Sequence, residues 1–244
     1  MNTNQIVIGL GEVGMAIMRL IAKKYNVIGI DTFVNMESLK NMKNIEIMHV
    51  AIPYTDKFEE IVNNYKEIFK PDFIVIYSSV LPGTTEKFGE YAIHSPIEGR
   101  HPNLFESVSS FTRYISGPMA NRLETFYKSL NLNVVCYSNS RITEVGKLLS
   151  TTRYGVNLMF ADISNEICEK YNVKYENAVL DYINMYNNGY NYLENRFIQP
   201  KLTPPNGNIG GHCVINNAKI LMNSTKNKII ELLANFNNKE GNNA

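Results

Sequence analysis

The chain predicts an α/β fold: a Rossmann-type, doubly wound and mostly parallel sheet, then a long helix and a small all-helical domain. Three observations predict it. Apolar runs of β-type residues alternate with helical stretches through the first 140 residues, the pattern of strands joined by crossover helices. A G-x-G-x-x-G turn follows the first of those runs. Beyond residue 141 the short segments give way to one long helical seam.

Residues 5–8 form the first strand and run into Gly9-Leu10-Gly11-Glu12-Val13-Gly14. Gly9 permits the tight turn, Gly11 lets a pyrophosphate approach the backbone, and Gly14 removes a side chain where helix crosses sheet. The helix N-terminus then offers unpaired N–H groups and partial positive charge to phosphates. Val13, Ala16, Ile17, Leu20 and Ile21 fall on one helix face. A second strand, 25–31, ends in Asp31. An acid there takes the ribose 2′-hydroxyls and repels a 2′-phosphate, which favours NAD over NADP.

Further strands are expected at 45–53, ending at Pro53, and at 73–78, 91–94, 113–117 and 134–137, with a helix from Phe58 to Ile68. Val145, Leu149, Thr152, Val156, Met159 and Ile163 recur at spacings of four and three, a helix reaching Lys170. It spans roughly 30 residues, about 45 Å at 1.5 Å per residue, more than a Rossmann layer needs, and is expected to lead into a helical domain and to pack against a second copy. Residues 175–199 show weak helical pattern, 204–213 a loop, and Ala218 to Phe236 a final amphipathic helix. The expected organisation is a dinucleotide-binding domain at 1–140, the long helix and a helical, dimerising domain at 141–236, and a disordered tail at 237–244.

Composition excludes several classes. A net charge of +1 over 244 residues gives no electrostatic case for nucleic acid or an anionic membrane. No apolar run approaches the length of a bilayer span. The polar start leads directly into a strand, so no signal peptide is expected. Three cysteines, Cys136, Cys168 and Cys213, form no C-x-x-C pair; an odd count without a secretion signal implies reduced thiols in the cytoplasm. The histidines at 49, 94, 101 and 212 lack metal-ligand spacing, so no metal is expected.

Cys213 stands where Gly210-Gly211-His212 leads into a helix, and a helix dipole favours the thiolate a nucleophile needs; a small thiol at a tight packing point fits the same spacing. Lys147 and Thr151 share a helix face. A lysine near a reacting carbonyl stabilises an oxyanion, while an ordinary solvated lysine has the same pattern. Pro96-Ile97-Glu98-Gly99 places a carboxylate beyond a strand, at the edge where such sheets bind ligands.

In this order the pieces resemble the UDP-glucose/GDP-mannose dehydrogenase family. The segments are Gly9–Gly14 with Asp31, Val50-Ala51-Ile52-Pro53, Ser79-Val80-Leu81-Pro82-Gly83-Thr84, Ser95-Pro96-Ile97-Glu98, Thr143-Glu144-Val145-Gly146-Lys147, Asn165-Glu166 and Pro205 to Cys213. The last, with its G-G-x-C ending, is the specific one. The resemblance implies NAD on Gly9, Gly11, Glu12, Val13, Gly14, Asp31, Ala51, Pro53 and Ser79. It implies oxidation of a sugar alcohol to a carboxylate through two hydride transfers. Cys213 would add to the aldehyde and become a thioester, Lys147 would stabilise the oxyanion, and Ser79 and Glu98 would order water or shuttle protons.

The chain departs from the family at Thr151, where asparagine is usual, at Asn216 and Asn217, where lysine and aspartate are usual, and at Asn206 and Asn208 in the P-G-x-G loop. An asparagine has no proton-accepting role at neutral pH. A third domain, which holds the nucleotide in the family, is expected to be absent. Two readings follow. One is an NAD-dependent oxidoreductase acting on a nucleotide sugar or a smaller alcohol, a variant of it being a simple alcohol or hydroxyacid dehydrogenase with Lys147 as acid/base. The other is a catalytically impaired NAD-binding protein that works by association with itself or a complete relative.

Overall fold

The computed structural model describes residues 4–31, 44–99, 103–193, 198–209 and 212–237. Its elements are β1 (Asn4–Ile8), α1 (Glu12–Ile21), β2 (Asn26–Ile30), β3 (Ile45–Val50), α2 (Phe58–Phe69), β4 (Phe73–Ile76), β5 (Ala92–His94), α3 (Leu104–Ser110), β6 (Arg113–Ser116), α4 (Glu124–Ser129) and β7 (Val134–Tyr137), then α5 (Arg141–Lys170), α6 (Asp181–Leu193), α7 (His212–Ser224) and α8 (Lys228–Ala234). The chain divides into two compact units, Met1–Lys147 and Leu148–Ala244. Of the expected tail at 237–244, Asn237 is ordered, its side chain accepting from the Ile209 N–H at 2.8 Å; residues 238–244 and the glycines Gly210 and Gly211 lie outside the described residues.

In the first unit seven strands form one sheet in the order β2-β1-β3-β4-β5-β6-β7. All neighbours are parallel except β5 and β6, which meet antiparallel at His94 and Ser116. The chain passes from β2 on one side of β1 to β3 on the other, so a crevice opens beyond the carboxyl ends of β1 and β3. Alternation along the strands feeds two cores. Val7, Ile47, Val75 and Ile93 face α1, α3 and α4. Ile6, Ile8, Met48, Val50, Ile74 and Ile76 face α2. Burying each such side chain contributes about 1.5–3 kcal/mol.

One buried polar string crosses the first core. Gln5 Oε1 lies 2.8 Å from His49 Nε2, His49 Nδ1 2.8 Å from the Tyr77 hydroxyl, and that hydroxyl 3.0 Å from the Tyr127 hydroxyl. With Gln5 Oε1 accepting, His49 carries its proton on Nε2 and accepts from Tyr77 on Nδ1. Burial pulls the His49 pKa down to about 3.

In the second unit Leu158, Val214, Ala218, Leu233 and Phe236 form a small core. Two expectations are corrected here. The last helix is not continuous from 218 to 236: α7 begins at His212 and ends at Ser224, and α8 starts anew at Lys228. The Asn227 side chain accepts from the N–H groups of Ile229 and Ile230, which makes it an N-cap and breaks the run. The buried stripe of α5 is also turned from the expected seam. Leu148, Thr152, Leu158, Ala161 and Cys168 are buried, while Leu149 is 52% exposed and Val145 36%. Gly155 sets that face, since a Cβ there would meet Val214 Cγ1 at 2.4 Å and Leu233 Cδ2 at 2.9 Å.

Candidate functional site

The glycine turn after β1 is built by contact. Gly9 has φ +89°, and a Cβ on it would lie 2.6 Å from the Ala51 carbonyl oxygen. A Cβ on Gly14 would lie 1.8 Å from the Gly9 carbonyl oxygen. Among the described residues a Cβ at Gly11 would meet nothing within 4 Å, so they leave the backbone there uncovered. Gly11 is the N-cap of α1, whose first N–H groups and dipole favour an anion. Asp31 Oδ2 accepts from the Leu10 N–H at 2.7 Å, which sets the carboxylate against this turn. Ala51, just past β3, donates its N–H to the Ile8 carbonyl at 2.8 Å with Pro53 two residues on, and the Ser78 hydroxyl ties in the next loop by donating to the Ile52 carbonyl at 2.6 Å. Val13 is half-buried; Glu12 is exposed and puts a negative charge on the first turn, in keeping with the preference of the dipole. The open face at Gly11, the helix terminus and Asp31 together fit the pyrophosphate and ribose of a dinucleotide.

Beyond β4 and β5 a second set of residues gathers on the first turns of α5. Glu144, fully buried, accepts from the Gly83 N–H at 2.6 Å, the Thr85 N–H at 2.9 Å and the Thr85 hydroxyl at 2.6 Å. That fastens the loop bearing Ser79, a half-buried residue. His94 Nδ1 lies 2.7 Å from the Thr143 hydroxyl, which also meets Ser116 Oγ, and His94 Nε2 lies 3.1 Å from the Ser78 carbonyl. One turn past Thr143, Lys147 donates to the Ile97 carbonyl at 2.6 Å and pairs with Glu98 at 3.4 Å. Lys147 is 15% exposed and Glu98 44%, so the ammonium is held by partners at the rim of the sheet. Its arrangement suits stabilising or protonating a developing alkoxide.

The second unit carries the rest. Cys213 is the second residue of α7 and is exposed. Asn217, one turn on and 3% exposed, donates to the Thr151 hydroxyl at 3.1 Å. The structure thus brings together Lys147 with Glu98, and Thr151 with Asn217. Cys168 is buried and Cys136 half-buried in β7, where burial pushes its thiol pKa up. The reading of the sequence missed the fastening roles of Glu144, Thr143 and His94. Glu144 and Thr143 sit inside the quoted T-E-V-G-K run, but nothing in the spacing reveals which loop they reach.

No family model matches the chain. The UDP-N-acetyl-D-mannosamine dehydrogenase of Pyrococcus horikoshii is 24% identical over 170 residues, which is 63% of this chain and 38% of that relative's length. Among solved structures, UDP-D-ManNAc dehydrogenase from Pyrococcus horikoshii superposes with a TM-score of 0.74 at 18% identity, over 97% of this chain and 68% of that one. A 3-hydroxyisobutyrate dehydrogenase from Mycobacterium tuberculosis superposes with a TM-score of 0.69 at 11% identity, over 98% and 94% of the two chains. At these identities the structural likeness establishes the fold. In sequence the chain is similar to UDP-N-acetyl-D-mannosamine dehydrogenases, of whose length it spans less than two fifths, and the similarity is in keeping with the ordered motifs.

Proposed function

We propose that the chain is an NAD-dependent oxidoreductase acting on an alcohol carbon of a nucleotide sugar or a smaller substrate. One observation carries the reading. The cradle after β1 and the Lys147–Glu98 pair beyond β5 open at the same, carboxyl, edge of a parallel run of strands. NAD, held at Gly9, Gly11, Glu12, Val13, Gly14, Asp31, Ala51, Pro53 and Ser79, supplies the hydride acceptor. Lys147 stabilises the oxyanion formed as the alcohol gives up its proton, and Glu98 holds the ammonium and relays that proton. Ser79 orders water at the loop after β4. Cys213, on the first turn of α7, adds to the aldehyde and carries it as a thiohemiacetal and then a thioester.

The test is NADH formation at 340 nm with NAD and a panel of UDP- and GDP-hexoses, beside Cys213→Ala and Lys147→Met. Turnover lost in both variants, with two NADH per sugar, supports the thiol route. One NADH per substrate, unchanged in Cys213→Ala, supports the simple dehydrogenase variant. No turnover by a protein that binds NAD favours the second reading, an impaired NAD-binding protein acting by association. The neutral Thr151–Asn217 pair is the observation on that side.

We also propose that two copies associate through α5. Leu149, Phe160 and Ile167 on that helix are 52%, 68% and 52% exposed, an apolar face that a solvated helix does not need. Among the described residues no helix is long and apolar enough to cross a membrane. Three free thiols fit a reducing compartment, and the cytoplasm is the proposed location.

A further inference from the structure

We propose that His94 is a positioning residue that locks the loop carrying Ser79 to the helix turn carrying Lys147. The proposal rests on the oxidoreductase reading for the purpose of the lock, while the lock itself is read from the hydrogen bonds. His94 ends β5, a strand of three residues, and its side chain is fully buried. It stands between Ile76 of β4 and Ser116 of β6 in the sheet. Its two ring nitrogens reach two different segments. Nε2 faces the Ser78 carbonyl at 3.1 Å, an acceptor, so the ring proton sits there. Nδ1 is then the acceptor for the Thr143 hydroxyl at 2.7 Å.

Each partner is one step from a proposed site residue. Ser78 precedes Ser79. Thr143 is four residues before Lys147 and shares its face of α5. Three residues past His94, the Ile97 carbonyl takes the Lys147 ammonium at 2.6 Å. The β5 segment therefore grips α5 at two successive turns, and one imidazole joins that grip to the β4 loop. The role needs a ring with one donor and one acceptor, which is the neutral form. Burial supplies it: desolvation, above all, and the nearby Lys147 ammonium hold the pKa down to about 4 against the opposing pull of the Ser78 carbonyl. An aliphatic residue would leave the Ser78 carbonyl and the Thr143 hydroxyl without this partner in a dry setting. Glutamine offers a donor and an acceptor in one plane and is the conservative replacement.

The experiment is amide hydrogen exchange by mass spectrometry on the full chain, with His94→Leu, His94→Gln and Thr143→Val. In His94→Leu, exchange in 78–85 and in 144–148 rises together by about 10-fold or more, while β1, β3 and α1 stay protected. In His94→Gln both segments return toward wild type. In Thr143→Val the helix turn loosens and the Ser78 end does not. A rise in one segment alone, or an equal rise across the whole sheet, would overturn the proposal. On any hexose nucleotide that yields NADH, kcat of His94→Leu falls about 10- to 100-fold with the KM for NAD within about 2-fold, and glutamine restores it. A KM change without a kcat change would also overturn it. If no panel member yields NADH, the oxidoreductase reading fails on these substrates and the exchange data still decide the lock.

Discussion

Asn217 Nδ2 donates to Thr151 Oγ1 across 3.1 Å, and the asparagine is 3% exposed. Two of the positions at which the sequence departs from the family pattern it resembles are therefore bonded to each other, as a neutral pair of an amide and a hydroxyl. Asn217→Asp exchanges the donor for an acceptor, and the Thr151 hydroxyl turns to donate. The variant places a carboxylate one helical turn from Cys213. It is expected to lose about 1–3 kcal/mol at neutral pH from burying the charge. Under the thiol route it is also expected to form carboxylate product faster than the wild type. Urea denaturation reads the first and product analysis by mass spectrometry the second; a slower variant would remove Asn217 from the account of the chemistry.

Gly14 and Gly11 separate folding from binding. A methyl at Gly14 has 1.8 Å to the Gly9 carbonyl oxygen, so Gly14→Ala must push the turn apart. It should cost about 1–3 kcal/mol or more, as overpacking does. A methyl at Gly11 meets no atom of the described residues within 4 Å. Gly11→Ala should keep the wild-type Tm and lose about 10-fold or more in NAD affinity, because the methyl occupies the path of the pyrophosphate. Calorimetric titration with NAD, run beside thermal melts, checks both. Equal NAD affinity in Gly11→Ala would place the cofactor elsewhere.

Stability should fall in mild acid. His49 and His94 have folded-state pKa values of about 3 and about 4, below the ordinary 6.5, foremost because they are buried. The unfolded chain therefore binds more protons than the folded one below that ordinary value. The contribution of both residues is whole above it and is lost as pH falls toward 4. Each costs about 1.4 kcal/mol per pH unit over that window. The slope of unfolding free energy against pH should be reduced by about half in His94→Gln, since that variant removes one of the two titrating groups. An unchanged slope would mean that the residue does not titrate on unfolding.

The exposed face of α5 gives a fourth expectation. Phe160 is 68% exposed, so Phe160→Glu leaves the core of its unit untouched. Sedimentation velocity should show a dimer in the wild type and a monomer in the variant, with the same circular dichroism. A wild type that sediments as a monomer would end the proposed association.

Much of the fold was legible because its signals are local. The β1 turn, Asp31 and the long helix ending at Lys170 follow from glycine spacing and periodicity over many residues. The helix α3, with seven residues, is too short for a period to declare itself, and the break at Asn227 depends on one cap within an apolar run. The buried side of α5 could not be read, because Gly155 carries no hydrophobic signal and yet decides which face approaches Val214 and Leu233. The candidate site could be read by residue type, a lysine, a carboxylate and a thiol. Its fastenings could not. Glu144 is separated from Gly83 by 61 residues and His94 from Thr143 by 49, and such pairings exist only once the sheet has formed.

The open backbone at Gly11 bears on how this sequence can drift over generations. Substitution at Gly14 is filtered by folding in every descendant, whatever it does for a living cell. Under the proposed NAD reading, substitution at Gly11 is filtered by the dinucleotide and by no contact with the described residues. A lineage that stops using the dinucleotide would keep the first glycine and lose the second. The identity of residue 11 across descendants is therefore a record of use, readable without an assay.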